Sequence, residues 1–143
     1  MDETRAFYQQ TLGLADSDDL RLPPPAEGAP DQRILFLHAD NPRHHSLGLY
    51  NFPVPTGIIH MIFEMPEIDD VGLCLDRVNA AGLPLLGTLG RHCNDQMLSF
   101  YVFGPGGIGV EIGCGGLQVD WQNFTPTVST VGDVWGHVYT PVV

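Results

Sequence analysis

Seven side chains in this sequence could do chemistry together: His45, His60, His92, Asn94, Asp95, Tyr101 and Glu111. His60 interrupts the apolar run IIHMIFEM, and Glu111 interrupts GIGVEIG. Alternation along a strand sets Glu111 on the face opposite Val110 and Ile112, with Gly109 and Gly113 leaving space around it. A carboxylate buried there needs a cation or a donor, and no Lys or Arg lies nearby in sequence. NPRHHSL places His44 and His45 at a strand start, where alternation turns them to opposite faces. RHCND gathers His92, Asn94 and Asp95, and an extended run puts His92 and Asn94 on one side. Each residue also has an ordinary reading: a core histidine, an edge-strand glutamate, surface histidines beside a turn, or capping Asn and Asp in a loop. Together they supply imidazole and carboxylate ligands, a histidine that titrates near neutrality, and phenol and amide donors. That set suits a non-heme iron(II) site of the two-histidine, one-carboxylate kind, with positions left open for substrate and dioxygen.

These residues need strands to position them. DETRAFYQQTLGL reads as a short helix with acidic residues at its start and Gly13 as its stop. LPPPAEGAP is a loop, because proline fixes φ and lacks a donor. RILFLHAD and HHSLGLYNF read as strands around the turn DNPR, and PVPTG as a linker. The pattern then restarts: a strand IIHMIFEM, and a helix EIDDVGLCLDRVNAAG with Ile68, Val71, Leu75 and Val78 on one face. MLSFYVF and GIGVEIG follow as a hairpin around GPGG. The two halves read as one motif twice, but the first copy begins at its helix and lacks the opening strand that carries His60 in the second. The expected divisions are a truncated module over 1–52, a second module over 58–116, and a C-terminal tail over 117–143 packing on the domain.

Composition narrows the function classes. The chain has 143 residues and a formal net charge of −11, with six Lys plus Arg. Without clustered cations, nucleic acid and anionic membrane surfaces are not expected partners. Three cysteines with no C-x-x-C spacing suggest neither a disulfide framework nor a zinc knuckle, and fit a reducing cytoplasm. The acidic start MDETRAFYQQ does not read as a signal peptide.

The motifs TRAFYQQTLGL, NPRHHSLGL, IIHMIFEM, DDVGLCLDRV, TLGRHCNDQMLSFYVFGPGGIGVEIGCGG and VWGH occur in this order. They resemble the type I extradiol catechol dioxygenases of the vicinal oxygen chelate (glyoxalase/bleomycin resistance) superfamily, most of all the catalytic half of 2,3-dihydroxybiphenyl 1,2-dioxygenase-like enzymes. The resemblance implies an α+β fold of paired βαβββ modules, here without the first strand of the first module. It implies His60 and Glu111 as ligands of Fe(2+), with Mn(2+) accepted by the same set. It implies His45 as the acid–base group, His92 and Tyr101 as groups holding substrate oxygen, and Asn94 and Asp95 beside the pocket. A catechol and dioxygen are the implied substrates, in aromatic compound catabolism. The family's further metal-binding histidine lies on the strand missing here, so weak iron binding is expected, and the open edge makes a homo-oligomer plausible. A catalytically dead binding or partner subunit is the alternative. A glyoxalase-type isomerase shares the fold but gives no reason for His45, His92 and Tyr101.

Overall fold

The computed structural model describes residues 1–140. Its elements are α1 (Asp2–Leu12), β1 (Ala15–Leu22), β2 (Gln32–His38), β3 (Leu47–Tyr50), β4 (His60–Met65), α2 (Ile68–Ala80), β5 (Leu85–His92), β6 (Leu98–Phe103), β7 (Gly109–Cys114), β8 (Thr127–Ser129) and β9 (Asp133–Gly136). They fall into two units: Met1–Pro53 with Leu117–Gly132, and Val54–Gly116 with Asp133–Val143.

The first unit holds a four-stranded sheet in the order β3-β2-β1-β8, antiparallel except for the parallel pair β1–β8. Helix α1 stops at Gly13, whose φ of 74° gives the left-handed cap that the sequence suggests. Strand β1, with the sequence ADSDDLRL, has no obvious strand signature. It pairs with β2 through a bulge between Asp16 and Asp18, and its acids find partners in the fold. Arg5 holds Asp16, Arg33 and Arg21 hold Asp19, and the Thr127 hydroxyl donates to Asp18 at 2.6 Å. Tertiary pairing overrides the low strand propensity of aspartate here.

The second unit is a βαβββ module, β4-α2-β5-β6-β7. Its five-stranded sheet has the order β4-β7-β6-β5-β9, with β4 and β7 parallel and the rest antiparallel. Helix α2 opens with a capping box between Glu67 and Asp70. It buries Val71 and Val78 against Leu98, Phe100, Val102, Ile112 and Cys114, with Leu75 packed beside them. Ile68, expected on that buried face, is 59% exposed, because it is the first helical residue and lies beyond the packed turns. Covering one face of β6 and β7 with α2 leaves Ser99, Tyr101, Gly109, Glu111 and Gly113 on the other. The β6–β7 turn is a short 3-10 segment, Pro105–Gly107, closed by a Gly104 N–H bond to Ile108 O at 2.9 Å.

The first unit has α1 followed by three strands, and among the described residues its sheet has no counterpart of β4. From residue 117 onward the chain adds β8 beside β1 and β9 beside β5, so it extends both sheets. Residues 141–143 of the expected tail lie outside the described residues.

Candidate functional site

Strand pairing in the second unit sets the geometry. Antiparallel register places Tyr101 directly across from Glu111, and parallel register places His60 beside Gly109 and Ile62 beside Glu111. Glu111 is 4% exposed. His60 Nε2 lies 3.2 Å from its Oε2, and His92 Nε2 lies 3.4 Å from its Oε1. Gly109 and Gly113 are needed beside this carboxylate: a Cβ on Gly109 would sit 3.0 Å from His60 Cβ, and one on Gly113 would sit 2.9 Å from Ser99 Cβ. Burial opposes ionisation of Glu111, but bonds from His60 and His92 outweigh it and hold the carboxyl well below its usual range.

His92 ends β5 at a bulge. Its Nε2 lies 2.7 Å from the Tyr101 hydroxyl, and its Nδ1 lies 2.8 Å from Asp133 Oδ1. Burial lowers its basicity, but Asp133 and Glu111 more than offset this, and its pKa rises to about 10 without a metal. Burial first, and then the Glu111 charge, push the Tyr101 hydroxyl well above its usual pKa, so it stays a donor. The structure therefore brings His60, His92, Tyr101 and Glu111 together.

Asn94 and Asp95 have local work. Strand β5 stops at His92, so the extended run that would align Asn94 with His92 does not exist. Asn94 Oδ1 accepts the Asp95 N–H at 2.9 Å, and Asp95 Oδ1 accepts the Met97 N–H at 3.1 Å, which closes the turn into β6. Asn94 Nδ2 is buried with no hydrogen-bond partner among the described residues.

His45 belongs to the first unit. Its ring packs on Phe36 with centroids 4.5 Å apart. The expected opposition of His44 and His45 does not hold, because neither lies in a regular strand and strand parity does not apply. Their Nδ1 atoms are instead 3.1 Å apart, and His44 is 2% exposed.

Three residues that the sequence reading left out join the cluster: Ser99, Asp133 and His137. Asp133 Oδ1 lies 2.7 Å from His137 Nδ1. Burial would raise the Asp133 carboxyl, but bonds from His137 and His92 leave it lowered. Among the described residues, His92, Asp133 and His137 form a trio whose ligand atoms lie within 4.8 Å of one another. The signal was present in VWGH, which follows directly on Asp133 and places His137 four residues after it.

Two donor sets could thus hold a metal. His60 and Glu111 offer an imidazole nitrogen and a carboxylate oxygen 3.2 Å apart, a separation that two ligands of one first-row ion can share, at roughly 2.1 Å each. The trio offers a second carboxylate, Asp133, flanked by two imidazoles.

The profile of the Glyoxalase/Bleomycin resistance protein/Dioxygenase superfamily matches residues 1–112. The chain is 45% identical over 139 residues to an iron-dependent extradiol dioxygenase of Rhodococcus jostii (strain RHA1), covering 94% of this chain and 46% of that protein. It is 40% identical over 140 residues to a biphenyl-2,3-diol 1,2-dioxygenase of Paraburkholderia xenovorans (strain LB400), covering 95% and 44%. The crystal structure of 2,2',3-trihydroxybiphenyl 1,2-dioxygenase from Sphingomonas wittichii strain RW1 superposes with a TM-score of 0.85 at 29% identity, over 97% of this chain and 47% of that one. The chain spans less than half the length of these relatives.

Proposed function

From a chain that belongs to the Glyoxalase/Bleomycin resistance protein/Dioxygenase superfamily, we propose an iron(II)-dependent extradiol catechol dioxygenase activity, with His60 and Glu111 holding the metal. The fold is the α+β vicinal oxygen chelate fold, and relatives of this class imply a metal cofactor. The observation that carries the proposal is Glu111: a buried carboxylate held ionised and met by two imidazoles, with His60 Nε2 at 3.2 Å and His92 Nε2 at 3.4 Å. A structural carboxylate is neutralised more simply by arginine, which offers no lone pair to a metal.

Iron(II) bound there would supply a Lewis-acidic, redox-active centre for a catechol and dioxygen, and manganese(II) accepts the same ligands. The protein's own contributions follow from the geometry. Glu111 stays anionic through the working pH range because His60 and His92 stabilise its charge. His60 presents Nε2 on the same sheet face. Tyr101, held protonated, donates a hydrogen bond. His92, on whose Nε2 the Tyr101 hydroxyl converges, holds a substrate oxygen in place. Asn94 and Asp95 hold the turn that ends His92's strand. His45 transfers a proton, a role suited to an imidazole.

A binding or partner subunit without catalysis is the second reading. It is favoured by the hydrogen bonds that already satisfy Glu111, and by the two ligands, His60 and Glu111, that the described residues supply where this ligand set has three. Anaerobic loading with Fe(2+), followed by metal analysis and a 2,3-dihydroxybiphenyl cleavage assay, separates the two. Turnover with bound iron supports the dioxygenase; tight catechol binding without turnover supports the alternative.

A further inference from the structure

His137 is held at both of its ring nitrogens. Its side chain has no exposed surface. Its Nδ1 faces the Asp133 carboxylate at 2.7 Å, and its Nε2 faces the Ser99 carbonyl at 3.0 Å. Both partners only accept. The Ser99 hydroxyl also lies 3.3 Å from Nε2. The His137 ring is thus held at both nitrogens, between Asp133 and Ser99.

The backbone is shaped to admit this ring. Gly136 and His137 are successive residues with positive φ, 76° and 49°. Gly136 pairs with Gly90 across β9 and β5. A Cβ on Gly90 would lie 2.6 Å from His137 Cγ, and one on Gly136 would lie 2.3 Å from Leu89 O. A non-glycine residue held at positive φ points to a constraint worth a function.

The same Asp133 oxygen takes the Nδ1–H of His92 at 2.8 Å. We propose that Asp133, clamped by the buried His137 ring, is a positioning residue: it keeps the proton on His92 Nδ1, so that His92 meets bound substrate only through Nε2. The proposal rests on the reading of His92 as a substrate-holding residue. The logic is that of a carboxylate behind a working imidazole, which fixes tautomer and ring orientation without touching the substrate. It also explains why Nε2 converges with Tyr101 and Glu111 while Nδ1 turns away from them.

The test is long-range 1H–15N spectroscopy on the full chain labelled at histidine, for wild type, Asp133→Ala and Asp133→Leu. The wild type should show a slowly exchanging proton on His92 Nδ1. In both variants the His92 Nδ1 proton should become fast-exchanging and the ring should shift toward the Nε2–H form. If that proton persists unchanged in the variants, the proposal is overturned. It is equally overturned if Fe(2+) strips the Nδ1 protons from both His92 and His137, since the trio would then be a metal site. None of these readouts needs turnover. A chain that cleaves no catechol yet shows the tautomer shift contradicts the dioxygenase reading and leaves this one standing. Where turnover is measurable, Asp133→Leu should lower kcat about tenfold to a hundredfold, the usual scale for groups that orient a working residue, with KM little changed.

Discussion

In the first unit Asp16 and Asp19 are met by guanidinium groups: Arg5 on Asp16, and Arg33 and Arg21 on Asp19. In the second, Glu111 and Asp133 are met by imidazoles: His60 and His92 on one, His92 and His137 on the other. All six cationic side chains of the chain are arginine, yet Glu111, among its most deeply buried carboxylates, is paired with histidines. The difference separates two uses of a carboxylate. A guanidinium stays charged at any working pH and has no lone pair to give, so it neither ligates a metal nor relays a proton. An imidazole can balance a carboxylate, release it to a metal, or hold a proton at one chosen atom.

His45 challenges this contrast most directly, being a histidine of the first unit for which catalysis is proposed. In an active form of the protein, His45→Gln should lower turnover by about two to four orders of magnitude while iron content holds. His44→Gln should cost less. Since the two rings touch through Nδ1, its effect should be measurable but secondary, and equal losses would contradict the assignment. Next in size is metal affinity. Glu111→Ala should weaken Fe(2+) binding by at least about 100-fold, beyond what loss of an orienting partner brings, whereas Asp19→Ala should leave it unchanged. A calorimetric titration of both variants checks this.

Packing offers a smaller difference. Gly90→Ala should destabilise the chain by about 1–3 kcal/mol, the scale of an overpacked core, because its Cβ would collide with His137 at 2.6 Å. Gly48→Ala in the first unit should cost under about 1 kcal/mol, since its Cβ would meet Phe36 Cε1 at 3.4 Å. Denaturant titrations of the two variants give the comparison.

A further difference is in pH. Both units hold carboxylates below their usual range, Asp19 in one and Glu111 and Asp133 in the other, so both lose stability as pH falls through those lowered values. The alkaline side distinguishes them. His92, raised to about 10, contributes stability that is complete below its ordinary 6.5 and disappears as pH rises through about 10. In the metal-free chain, unfolding read at Trp135 should weaken over that window and Trp121 should not follow; His92→Gln should remove the slope.

Much of this was legible in the sequence, for physical reasons. Alternation alone turned Glu111 away from Val110 and Ile112, and the flanking glycines announced the space it needs. Helix α2 and the β6–β7 hairpin followed from periodicity and turn residues. Strand β1 did not, because three aspartates hide a strand whose acids are met by Arg5, Arg33 and Thr127, all distant in sequence. The parity reading of His44 and His45 failed because it assumed a strand where the chain is irregular. Asp133 and His137 escaped because their burial depends on β9 pairing with β5, and on two left-handed residues that no periodicity reveals.

Anaerobic Fe(2+) titration of the wild type, His60→Ala and Asp133→Ala tests the central claim most directly. The His60–Glu111 centre predicts that affinity collapses in His60→Ala and survives in Asp133→Ala. Survival in His60→Ala with loss in Asp133→Ala would place the metal among His92, Asp133 and His137 and contradict it.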